Sequence, residues 1–137
     1  MAAAFLFAVL CSLPASLKAQ EDLGQAIEMA QQSWLSHNMS ALVAGSDTVR
    51  LRIPGIAPSA SLRPGQASRL LEQYVKSAEE ISCERTGLRE LSDDHVYAEV
   101  QRVYVVQGTD QQRTETILFG FRRIDGMWRL REVRVTP

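Results

Sequence analysis

Cysteine and histidine are scarce in this 137-residue chain, at two each. Cys11, Cys83, His37 and His95 show none of the spacings that hold a metal ion, so neither a metal centre nor a cofactor is expected. Charge of one sign is missing as well. Fifteen basic residues, 13 of them arginine, face 16 acidic ones for a formal net charge of −1, which removes the electrostatic footprint of a nucleic-acid binder. Repeats, low-complexity tracts and interdomain linkers are absent, and the length suits one globular domain. No apolar run reaches the roughly 20 residues needed to cross a bilayer.

What the chain does have begins with an apolar run, Ala2 to Leu13, closed by Pro14 and followed by small residues up to Ala19. Residues 1–19 read as a secretory signal peptide, with cleavage after Ala19 and a domain over residues 20–137. Export to the periplasm or the extracellular space is the expected localisation, with no stable membrane span after processing. Ala8-Val9-Leu10 lacks the small residue that precedes a lipid-modified cysteine, so Cys11 is not read as a lipid anchor. Cleavage leaves a formal charge of −2 and Cys83 as the lone cysteine. A lone thiol forms no internal disulfide, so stability must come from the core, and Cys83 reads as a small buried hydrophobe.

Leu23, Ile27, Ala30 and Trp34 fall on one helical face over Asp22–Leu35. Asn38 caps a short second helix, Met39–Ala44, ended by Gly45. Asn38-Met39-Ser40 also fits a glycosylation acceptor, but that tripeptide is common by chance. Asp47–Ile53 alternates as a strand with one wet face. A loop rich in proline and serine leads to Pro64, which suits the first turn of a third helix carrying Ala67, Leu70, Leu71, Tyr74 and Val75 on its apolar face.

Beyond Glu80, four runs (81–91, 95–106, 113–124 and 127–135) read as antiparallel strands. Asp125-Gly126 is the strongest hairpin signal. Trp128 and Leu130 share one parity and Val133 and Val135 the other, so a bulge is expected near Arg131-Glu132. Trp34, Leu70, Leu71, Tyr74, Phe119, Phe121 and Trp128 are expected to supply most of the core. Helices followed by strands give an α+β class, with N-terminal helices packed on the concave face of a curved, mainly antiparallel sheet, a cone.

From about Leu23 to Val135 the chain resembles the nuclear transport factor 2-like superfamily with its cystatin-like cone. The residues that carry the resemblance are Ile27 and Trp34, Ser40-Ala41-Leu42, Val49 through Gly55, Gln66 through Leu71, and Met127 through Val133. Within that superfamily it is similar to small exported bacterial proteins of unknown function. The resemblance implies a cone able to host isomerases, dehydratases or binding proteins, and a dimer formed through the sheet. Ketosteroid isomerase relatives place a carboxylate base on the strand before the Pro-Gly turn, where this chain offers Arg50, Leu51, Arg52 and Ile53. No catalytic residue is therefore assigned.

The candidates for the cavity are Tyr74, Tyr97, Arg102 and Tyr104. Tyr97 and Tyr104 have opposite parity, so at most one points inward. Simple alternation puts Arg102 inward with Val100 and Tyr104, as a ligand contact or as half of an ion pair with a residue such as Glu99 or Glu115. A bulge that turns it outward is the preferred expectation. Arg122, Arg123, Arg129 and Arg131 are candidates for a basic surface patch, with cross-strand pairing to Glu99, Glu115 and Glu132 as the plainer account. The reading is an exported, non-enzymatic domain that binds an unknown protein partner or a small apolar ligand. The alternative is a cavity enzyme of isomerase or dehydratase type, recognisable by a carboxylate or histidine inside the cone within reach of a tyrosine.

Overall fold

The computed structural model describes residues 15–56 and 58–137. The apolar run 2–13 and Cys11, on which the leader and lipid readings rest, lie outside the described residues. Helix α1 runs Ala15–Leu35, starting earlier than its apolar periodicity predicts, and buries Leu23, Ile27, Ala30 and Trp34. His37 takes a left-handed backbone, φ 55°. The Asn38 side chain then accepts a hydrogen bond from the Ala41 amide at 3.2 Å and starts α2, Met39–Val43.

Strand β1 is only Arg50–Arg52, shorter than the alternation predicts, because its flanks are claimed by the following loop. Val49 bridges Leu62, and Ser59 takes both backbone groups of Leu51, its Oγ accepting from the Leu51 amide and its own amide donating to the Leu51 carbonyl. Helix α3, Pro64–Val75, opens on its proline and buries Ala67, Leu71 and Val75. Leu70, Tyr74 and Trp128 are only half-buried and pack against the core from its margin, which corrects the expectation that they belong to it; Trp34, Leu71, Phe119 and Phe121 are buried.

Strands β2 (Ala78–Ser92), β3 (His95–Val106), β4 (Gln112–Ile124) and β5 (Met127–Thr136) follow as an antiparallel meander. The sheet order is β1-β5-β4-β3-β2, with β1 parallel to β5. Asp125 and Gly126 both have positive φ, 52° and 77°, as the tight hairpin turn requires. The expected bulge is present. Gly120 pairs with Glu132 and Phe121 with Leu130, so Arg131 is the extra residue and Leu130, Val133 and Val135 all reach the core. Three further register shifts, at Glu80/Ser82, Arg85/Gly87 and Glu90/Ser92, break up β2.

The three helices cover the concave face of this unclosed sheet, and the core lies between them. Trp34, Met39, Leu51, Leu71, Ile117 and Phe119 each expose less than 2% of their surface. A side chain with no surface that a water molecule can touch lines neither an open pocket nor a void large enough for water. Trp34 meets Phe119 edge-on, ring centroids 6.1 Å apart. Cys83 is buried as expected, and burial, helped by the nearby Glu80 charge, pushes its thiol up to about 12. Among the described residues no helix is long and apolar enough to cross a membrane.

Candidate functional site

The period of two along β3 sends Val96, Ala98, Val100, Arg102 and Tyr104 to the concave side. No bulge intervenes, so Arg102 points inward and is 1% exposed, which overturns the preferred outward placement. Two carboxylates make this burial tolerable. Glu115 stands directly opposite on β4 and accepts from Arg102 Nη1 at 2.7 Å. Glu80 on β2 accepts from Nε at 2.8 Å and from Nη2 as well. Three rings surround the guanidinium, with Tyr104 at 3.9 Å, Trp34 at 5.2 Å and Tyr74 at 5.7 Å from its central carbon. Burial favours loss of the Arg102 proton, but Glu80 and then Glu115 outweigh it and hold the group more firmly charged.

The cluster extends at both ends. The Tyr74 hydroxyl donates to Glu115 Oε2, and His37 Nε2 lies 3.0 Å from Glu80 Oε1. Burial, and then the bond to Glu115, push the Tyr74 hydroxyl well above its usual range. A carboxylate does stand within reach of a tyrosine inside the cone, which is the mark set for the enzyme alternative. Each carboxylate is nevertheless engaged by Arg102, Tyr74 is made a weaker acid, and His37 is held by Glu80 with its side chain 31% exposed. On β1 Leu51 alone is buried while Arg50 and Arg52 face out, and Asp47 is exposed at the strand's mouth.

Of the four cavity candidates, Tyr74, Arg102 and Tyr104 come together and Tyr97 does not. Tyr97 lies on the outer face, its hydroxyl donating to Glu132 Oε2 at 2.6 Å. Its ring packs against Gly120, where a Cβ would sit 2.9 Å from Tyr97 Cε1. The four arginines of the last hairpin do not form one patch. Arg123 pairs with Asp94 at 3.0 Å, and Arg129 donates to the Gly45 carbonyl. Arg122 and Arg131 share a depression on the outer face. None of the four pairs with Glu99, Glu115 or Glu132 among the described residues; Glu132 is met by Arg134 at 3.2 Å and Arg52 at 3.7 Å. An apolar groove of about 240 Å³ lies between α1, α2 and the β4–β5 hairpin, its floor formed by the core residues Leu42, Phe121 and Leu130. Met29 and Met127 on its rim are 67% and 61% exposed.

Sequence reasoning missed Glu80 and His37. Glu80 sits where helical spacing gives way to strand spacing, and the register shift beside it hides its parity. His37 follows Ser36 in a turn and carries no local signal of its bond to a residue 43 positions away.

No protein-family model matches the sequence, and no curated protein matches it. Solved structures do. A ketosteroid isomerase-like protein from Erwinia carotovora atroseptica superposes with a TM-score of 0.68 at 14% identity, over 85% of this chain and 96% of that one. An NTF2-like protein with a cystatin-like fold from Novosphingobium aromaticivorans gives 0.63 at 14%, over 88% and 82%. The chain has the nuclear transport factor 2-like fold. A DUF4783 family protein from Bacteroides uniformis shares it, with a TM-score of 0.64 at 13% identity over 79% and 93%. Likeness at these identities carries the fold alone.

Proposed function

We propose that the protein is an exported, non-enzymatic binding domain that works through its outer surface. The observation that carries this is the interior of the cone, where Arg102 engages both Glu80 and Glu115 in ion pairs. Export is supported by the apolar run 2–13 and the turn to polar composition at Gln20-Glu21. A small apolar ligand or a partner's apolar side chain fits the groove beside Met29 and Met127. Association of two copies through the sheet belongs to the same reading, and sedimentation equilibrium tests it. The enzyme alternative has two observations in its favour, the Tyr74–Glu115 bond and the His37–Glu80 contact.

A panel of steroid, polyketide and hydroxy-acid substrates decides between the two. We expect no turnover by the purified protein. Turnover abolished by Tyr74→Phe, His37→Ala or Asp47→Asn, in variants that keep the fold, would overturn the binding reading. Amino-terminal sequencing of the protein from its host should begin near Gln20, and an intact Met1 in the soluble cytoplasm would end the export proposal.

A further inference from the structure

The outer face carries a second arrangement that the cone does not explain. A depression of about 390 Å³ opens where β1 runs beside β5, lined chiefly by Thr48, Arg50, Ser61, Tyr97, Arg122 and Arg131. The chain's own order brings these together. Parallel pairing sets Arg50 beside Glu132, antiparallel pairing sets Glu132 beside Gly120 and Gly120 beside Tyr97, and the bulge adds Arg131 to the same neighbourhood.

The charges there do not cancel. Arg50 donates through Nε to the Ala60 carbonyl at 3.1 Å, and neither it nor Arg122 pairs with a carboxylate among the described residues. Arg131 donates to Thr48 Oγ1 at 2.9 Å, its nearest carboxylate, on the exposed Asp47, is 4.0 Å away, and its Nε has no hydrogen-bond partner. Glu132, the one carboxylate of the lining, is already matched by Arg134 and Arg52 and accepts from Tyr97. Three guanidinium groups thus converge on an open depression in a chain whose net charge is −1. Guanidinium presents planar, forked donors that suit a carboxylate or phosphoryl group. Thr48 and Ser61 hydroxyls add neutral donors, and the rings of His95 and Tyr97, 5.1 Å apart and tilted by 43°, complete the lining.

We propose that this depression binds a small oxyanion, a carboxylate or phosphoryl group, held by Arg50, Arg122 and Arg131. The inference rests on the binding-domain reading and gives it a ligand class. Isothermal titration and amide chemical-shift mapping of the purified protein with inorganic phosphate and with citrate test it, against chloride at equal ionic strength. Phosphate stabilises folded proteins in general, so melting temperature alone is no measure of occupancy. Saturable binding should shift the amides of Thr48, Ser61 and His95 and weaken as salt rises. Arg122→Gln with Arg131→Gln should weaken it at least about tenfold, whereas Arg69→Gln on α3 should leave it unchanged. A response to phosphate alone names a phosphoryl ligand, and a response to citrate alone a carboxylate. Failure of both probes to bind, or equal binding by the Arg122/Arg131 variant, would overturn the site. Either failure would leave the non-enzymatic reading standing, since that depends on turnover and on Tyr74, His37 and Asp47.

Discussion

Replacing Arg102 with methionine would keep most of the side chain's length and apolar stem while removing its charge. In the native protein the guanidinium satisfies Glu80 through two nitrogens and Glu115 through a third, with Tyr104 stacked at 3.9 Å. Glu80 and Glu115 side chains are only 2% and 8% exposed, so water cannot replace the lost donors. Breaking a buried ion pair from one side costs about 3–5 kcal/mol, because an uncompensated charge stays behind. That is at least about a fifth of a total stability of about 5–15 kcal/mol. With a urea slope of about 1.5 kcal/mol per M, the unfolding midpoint should fall by about 2–3 M. The triple variant Arg102→Met, Glu80→Gln, Glu115→Gln should recover much of this, since it removes the stranded charges. Urea titration followed by the fluorescence of Trp34 and Trp128 provides the assay. A loss below about 1 kcal/mol in Arg102→Met, or no recovery in the triple variant, would refute the view that paired charge closes the cone.

Three further outcomes follow from the same physical picture. Gly120→Ala should destabilise by about 1–3 kcal/mol, because its Cβ would meet Tyr97 at 2.9 Å and Glu132 Cβ at 3.1 Å; combining it with Tyr97→Ala should cost less than the two single changes added, as a double-mutant cycle in urea will show. Burial favours protonation of Glu132, but the bonds from Tyr97 and Arg134 outweigh it and its affinity for a proton is lowered. The stabilisation from this carboxylate is therefore full above the ordinary glutamate value of about 4.3 and is lost as pH falls through the lower native value. The stability gap between wild type and Glu132→Gln should then close below about pH 4, and a gap unchanged at pH 3 would contradict the assignment. Leu71→Ala should cost about 2–5 kcal/mol and the exposed Arg69→Ala far less, so equal urea midpoints would show that the α3 face is misassigned.

Elements were legible in the sequence wherever local chemistry sets them. Asn38, Pro64, Asp125-Gly126 and the parity change at Arg131 each mark a cap, a start, a turn or a bulge, and each is found in the fold. Contacts between distant strands were less legible. Alternation places Arg102 with Val100 and Tyr104 correctly, and the inward reading fails only if burying an arginine has no compensation. Glu115 was one of two partners that the pattern suggests, whereas Glu80 is delivered by a register shift that local spacing does not announce. The outer depression depends on β1 lying parallel to β5, a pairing fixed by tertiary packing. Arg50 therefore looks like an ordinary wet-face residue until Glu132 and Arg131 are set beside it.

The loop that shortens β1 also covers one margin of the sheet. Strands at the margins of a sheet present unpaired amides and carbonyls that recruit foreign strands. On the β1 margin Ser59 already occupies the amide and carbonyl of Leu51, and Leu62 occupies those of Val49. On the opposite margin β2 is 15 residues long, but its three register shifts leave Ile81, Thr86 and Leu91 without partners and interrupt any straight run of donors and acceptors. The Gln31 side chain reaches the Cys83 carbonyl from α1 and anchors the helix to this margin as well. A strand added at the β1 margin would have to displace Ser59 and Leu62, and one added along β2 would have to follow three breaks in register.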